Sequence, residues 1–136
     1  MRLNPYLTFN GQCEAAFKLY EKCLGGKILT MMTYANSPMA AQAPPDWHNK
    51  IVHVTLALGE QTLQGADVLP DRYQKPQGMC VTLNIKAASE GERIFQALSE
   101  NGAIDMPMQK TFWAERFGVV TDQFGTPWII NCEKDA

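Results

Sequence analysis

The densest group of chemically capable side chains in the sequence is Thr111-Phe112-Trp113-Ala114-Glu115-Arg116-Phe117-Gly118. Taken as a strand of period two, it puts Trp113, Glu115 and Phe117 on one face and Phe112, Ala114 and Arg116 on the other. If the first face lines a cavity, Glu115 is a carboxylate among rings, where lost hydration raises its pKa toward the range of a general acid or base. If the second face does, Arg116 offers a guanidinium for an anionic ligand. The bland alternative is an outward Glu and Arg flanking core aromatics.

The two histidines are His48 and His53. His53 interrupts the apolar run Ile-Val-His-Val-Thr-Leu-Ala-Leu and shares a face with Ile51, Thr55 and Ala57. There it can shuttle protons or be a hydrogen-bonded strand residue. His48 falls in or beside a loop, and the pair lacks a third metal ligand. Tyr6, Thr8, Gln64, Trp128 and Asn131 complete the candidates, since a small-molecule site needs an apolar pocket with a few placed polar groups. Each of them also has an ordinary structural reading. The seven methionines can fill a core or give a pocket an adaptable lining.

Composition limits the partners. A formal charge of −2 without a Lys/Arg block offers no footprint for nucleic acid, whose phosphates require clustered cations. The chain lacks an apolar run of roughly 18 residues, the length a bilayer demands. Its start, Met-Arg-Leu-Asn-Pro, has no apolar signal core, so a cytoplasmic protein without membrane partners is expected. Cys13, Cys23, Cys80 and Cys132 form no C-x-x-C pair and read as reduced thiols in packing. Cys13 carries one further possibility, because a helix dipole at a first turn lowers a thiol pKa.

The elements that must position these groups are legible from periodicity. Leu3–Phe9 predicts a strand, and apolar Cys13, Ala16, Phe17, Tyr20, Cys23 and Leu24 predict a helix with one inward face. Asn10 is the expected cap, and Gly25-Gly26 the expected stop. Lys27–Tyr34 predicts a strand and Ala35–Trp47 a surface loop, a candidate lid over a cavity mouth. Ile51–Leu58 and Gln61–Asp67 predict a hairpin turning at Gly59-Glu60. The order then restarts: strand Met79–Ile85, helix Glu90–Asn101 with Ser89 and Glu92 as a capping box, and strands near Ile104–Thr111, Phe112–Asp122 and Thr126–Glu133.

Leu7/Leu83, Phe9/Ile85, Gly26/Gly102 and Ile28/Ile104 lie 76 apart, while Ala16, Phe17 and Tyr20 match Ile94, Phe95 and Leu98 at 78. An internal repeat follows, with module one at 1–67, a connection at 68–77 and module two at 78–136 within one domain. The fold class is α+β, two tandem βαβββ modules.

Four segments carry a family resemblance: N-P-Y-L-x-F-N-G-x-C-x-x-A-F-x-x-Y at 4–20, L-G-G-K-I at 24–28, M-x-x-T-F-W-x-x-R-F-G at 108–118 and T-D-x-F-G-T-P-W-I-I-N at 121–131. They resemble the PhnB-like branch of the vicinal oxygen chelate superfamily, which also holds glyoxalase I, bleomycin-binding proteins and extradiol dioxygenases. The resemblance implies a curved, mostly antiparallel sheet forming an open-barrel cup around a small-molecule pocket, commonly completed by homodimerisation. It also implies metal-ligand positions on the first and last strands of each module. By register these fall on Asn4, Gln64 (or Ala66), Cys80 and Ile129, a set that argues against a metal cofactor. Some relatives carry a quinone-methyltransferase label, but the sequence has no G-x-G-x-x-G after a strand.

The expectation is a homodimer that binds a small organic molecule, either as a binding protein or as a metal-independent enzyme. The predicted catalytic groups are Glu115 and His53, and the predicted ligand contacts are Tyr6, Thr8, Gln64, Trp113, Arg116, Trp128 and Asn131, with neither metal nor cofactor. Two alternatives stay open: non-catalytic sequestration of a drug or metabolite, and a divalent-metal lyase, isomerase or dioxygenase using His53, Gln64 and Glu115 or Glu133.

Overall fold

The structure, a computed structural model, describes residues 1–134. The last two positions of the second module as read from the sequence lie outside the described residues. The chain divides into two compact units, one of Met1–Gln74 and one beginning at Lys75. The first contains β1 (Tyr6–Phe9), α1 (Cys13–Leu24), β2 (Lys27–Thr33), β3 (Ile51–Leu58) and β4 (Gln61–Asp67). The second contains β5 (Val81–Ile85), α2 (Ala88–Ser99), β6 (Ala103–Gln109), β7 (Ala114–Thr121) and β8 (Pro127–Glu133).

Each unit is a βαβββ module with a four-stranded mixed sheet, ordered β1-β4-β3-β2 in the first and β5-β8-β7-β6 in the second. The first strand runs parallel to the last, with Tyr6 beside Gln64 and Val81 beside Trp128, while the remaining pairs are antiparallel. The helix explains this arrangement. It turns the chain back across one face of the sheet, so the strand it leaves can pair in parallel only with a strand that arrives later.

The helical stripes bury the residues their periodicity selects, namely Cys13, Ala16, Phe17, Tyr20 and Cys23 in α1 and Gly91, Ile94, Phe95 and Leu98 in α2. Phe17 meets Phe9 edge-on at 6.0 Å and Tyr20 at 5.4 Å between ring centroids. Gly65 of β4 lies beneath the same ring, where an added Cβ would fall 2.7 Å from Phe17 Cε2. Complete burial of a side chain this size contributes on the order of 2–3 kcal/mol.

The helix ends depart from expectation. No side chain of α1's own N-terminus caps it, Asn10 included. Asp67 of β4 supplies the acceptor instead, its Oδ1 taking the backbone N–H of Gly11 and of Cys13, each at 2.9 Å. Its Oδ2 accepts Ile51 N–H at 2.9 Å, so one buried carboxylate ties the helix to two strands. Ser89 and Glu92 form no capping box either. Helix α2 begins one residue before Ser89, its N-cap residue is Ala87, and Glu92 pairs elsewhere.

At the C-terminus of α1, Gly25 adopts φ +75°, and Asn101 takes the corresponding left-handed place after α2 at φ +58°. Gly26 and Gly102 serve differently. A Cβ on Gly26 would collide with Ala57 O, and one on Gly102 with Thr121 O, so each module requires glycine for the same close backbone approach. The loop after β2 is more ordered than its composition suggests, with short 3₁₀ turns at Ala40–Gln42 and Pro45–Trp47. None of the helices among the described residues is long and apolar enough to cross a membrane.

Candidate functional site

Since α1 covers one face of the first sheet, the residues that alternate with its contacts make up the open face. Phe9 and Gly65 lie against Phe17, so Tyr6 and Thr8 of β1 and Gln64 of β4 point the other way. Val54 and Leu56 are fully buried beside Gly65 and Leu63, which turns His53 and Thr55 to that same open face. Gln64 pairs with Tyr6 on one side and Thr55 on the other.

His53 lies between two hydroxyls there. Its Nδ1 is 3.2 Å from Tyr6 Oη and its Nε2 is 3.0 Å from Thr55 Oγ1, with the Tyr6 and His53 ring centroids 5.8 Å apart. A neutral imidazole donates from one nitrogen and accepts at the other, whereas its protonated form donates from both. Hydroxyls serve as either partner, so the ring can gain or lose a proton without losing a contact. Burial, reinforced by the potential negative charge of Cys13 and Tyr34, pushes the Tyr6 phenol above its ordinary pKa and keeps it a neutral donor. Thr55 escaped the sequence reading as a functional residue, although its place two residues along the same strand puts it beside His53.

In the second unit Cys132 lies against Gly91 of α2, so Ile129 and Asn131 of β8 take the open face together with their β7 partners Val119 and Phe117. Asn131 Nδ2 donates to Asn84 Oδ1 of β5 at 3.0 Å, while Asn131 Oδ1 is buried without a hydrogen-bond partner. Trp113 precedes β7 rather than lying in it. Thr111 Oγ1 accepts its N–H in a tight turn, and its ring packs edge-on against Phe112 and Phe117 at 4.6 and 5.1 Å.

Three side chains singled out in the sequence occupy places their expected roles did not anticipate. Trp128 is fully buried and donates its indole N–H to Asp122 Oδ2 at 2.9 Å, which makes it a core residue of its unit. Arg116 pairs with Glu92 of α2 at 3.3 Å as a half-exposed surface bridge. Glu115 is exposed rather than enclosed among rings, and a bulge between Ala114 and Arg116 breaks the alternation on which its face was reckoned.

The metal positions fail on donor chemistry. In the first unit Asn4 and Gln64 are neutral amides, and in the second Ile129 offers no donor atom to accompany Cys80. Among the described residues no three His, Cys, Asp or Glu side chains gather as a metal site. All four cysteines are free. Cys13 does lie in a first turn, but burial and then the Asp67 and Glu14 carboxylates push its thiol far up, reversing the effect expected of the helix dipole.

Two βαβββ sheets, each with one helix-covered and one open face, define the glyoxalase/bleomycin-resistance fold. The bleomycin-binding protein of Streptomyces verticillus shares it with a TM-score of 0.61 at 12% identity, over 98% of this chain and 97% of that one. Protein PA1353 from Pseudomonas aeruginosa is similar at 41% identity and a TM-score of 0.91, over 99% of both chains. Protein YjdN of Escherichia coli (strain K12) is 35% identical over 144 residues, covering 98% of this chain and 97% of that protein. The family model described as 3-demethylubiquinone-9 3-methyltransferase matches residues 1–131. The chain belongs to that family.

Proposed function

We propose that the chain binds a small organic molecule on the open face of its first sheet and that His53 exchanges a proton with it without the help of a metal. The observation that carries this reading is the imidazole suspended between Tyr6 Oη and Thr55 Oγ1 on a face no helix covers. Thr8 and Gln64 flank it and supply a hydroxyl and an amide to orient a ligand. In this reading Glu115 and Arg116 contribute charge at the surface, and Trp128 acts through packing. The methyltransferase wording of the family is not carried to this chain, because the turn from β1 to α1 holds one glycine and that from β5 to α2 none.

A thermal-shift screen against metabolites, antibiotics and S-adenosylmethionine tests the reading. The expected hit is a small organic compound whose shift drops by more than half in His53→Gln and Tyr6→Phe, with mass spectrometry reporting any product. A hit indifferent to both changes, or one limited to S-adenosylmethionine, overturns it.

A homodimer and a cytoplasmic location belong to the same proposal. Edge strands β2 and β6 expose Leu29, Met32, Ile104 and Met106, apolar surface that a second copy can cover. Sedimentation velocity at micromolar concentration is expected to show a dimer, and a monomer there removes that part.

A further inference from the structure

The first unit contains a recess that shares no residue with its open face. Tyr34, Met39, Gln42, Ala43, Val68, Leu69 and Arg72 line a cavity of about 150 Å³ between the 3₁₀-turn loop and the segment following β4. Apolar cavities of this size hold a single benzene-sized ring. The walls are built rather than incidental. Tyr34 Oη donates to Asp67 O at 2.6 Å, Ser37 Oγ donates to Tyr34 O at 2.8 Å, and Arg72 N–H donates to Leu69 O at 2.8 Å.

His48 completes the frame. Its Nε2 lies 3.0 Å from Ala40 O and 3.1 Å from Ala43 O, and since carbonyls only accept, that nitrogen carries the proton and fastens the turn holding Ala43. Arg72 is the one charged residue among those lining the recess, and it is exposed. Guanidinium matches carboxylate in a planar two-point contact that a neutral hydroxyl cannot reproduce.

We propose that this recess is a binding site for a small aryl or branched-chain carboxylate, its apolar body among Met39, Ala43, Val68 and Leu69 and its carboxylate toward Arg72. The probes are benzoate and its neutral analogue benzyl alcohol, each titrated into the ¹⁵N-labelled full chain to about 10 mM, a range suited to weak ligands. Benzoate is expected to saturate, with amide shifts concentrated in residues 34–43 and 68–72. Arg72→Gln is expected to weaken benzoate by about tenfold while leaving benzyl alcohol within about twofold. Ala43→Trp, which fills the cavity, is expected to abolish both. Should Ala43→Trp fail to fold, the exposed Arg72 variant still decides the matter. Benzoate shifts located elsewhere, an absence of saturation, or equal loss of both probes in Arg72→Gln overturns the assignment.

Discussion

The two modules share a plan down to single residues yet use their interiors differently. Gly26 and Gly102 meet carbonyls of the matching hairpin, Gly25 and Asn101 close the matching helices, and Phe17 and Phe95 fill the matching cores. Their buried carboxylates diverge. Asp67 gathers N–H groups from the β1–α1 turn, the first turn of α1 and the start of β3, 16 to 56 residues away in sequence. Asp122 serves its own turn, taking Phe124 and Thr126 N–H and the Trp128 indole within six residues. The open faces diverge as well, with a Tyr-His-Thr line in the first unit and amides among apolar side chains in the second. Shared topology is therefore held in place by glycine and aromatic volume, which leaves polar residues free to specialise.

Removing the two carboxylates separately is the sharpest way to break this comparison. Asp67→Ala strands three donors, two of them buried, from three separated chain segments and is expected to lower the unfolding free energy by about 4 kcal/mol. Asp122→Ala disturbs one turn and one indole, with an expected cost of about 2 kcal/mol. Urea denaturation followed by tryptophan fluorescence measures both. If Asp122→Ala proves the costlier change, the view of Asp67 as the long-range tie is wrong.

Most of the architecture could be read from the sequence because it depends on periodicity. Val54 and Leu56 in Ile51–Leu58, and Leu63 and Gly65 in Gln61–Asp67, bury alternate positions, and the helical stripes, offset by 78 residues between modules, are the residues found buried. The caps were not legible for the opposite reason. Asp67 reaches α1 from a strand more than fifty residues away, whereas Asn10, Ser89 and Glu92 satisfied a local pattern that the folded backbone does not use. The site was legible only in part. His53, Tyr6, Thr8 and Gln64 share an open face because strand alternation survives folding, but the bulge after Ala114 and the turn holding Trp113 defeat the same rule around Glu115 and Arg116. Trp128 was misplaced because an indole on a strand gives no sign of which face the helix will cover.

The smallest expected effect contrasts thiols. Cys13 and Cys132 are buried, one in each unit, while Cys80 is exposed. Burial first, then neighbouring carboxylates, pushes the Cys13 and Cys132 thiols above their ordinary pKa, with Arg116 partly offsetting the rise at Cys132. Iodoacetamide on the native chain at mild alkaline pH should therefore label Cys80 alone, as peptide mass mapping would report. The sign for stability follows. A folded-state pKa above the unfolded one means that the contribution is fully present below the unfolded thiol value, roughly 8.5, and is lost as pH rises toward the folded value. Tyr6 and Tyr34, also raised by burial, add a loss of the same sign once pH passes the ordinary phenol value of about 10. Unfolding free energies measured from pH 7 to 10 should fall above about pH 8.5, and Cys13→Ala should flatten that fall. An equally steep decline in the variant would mean that the Asp67 carboxylate does not oppose ionisation at the first turn of α1, and the contrast between the buried thiols and Cys80 would then reduce to solvent access alone.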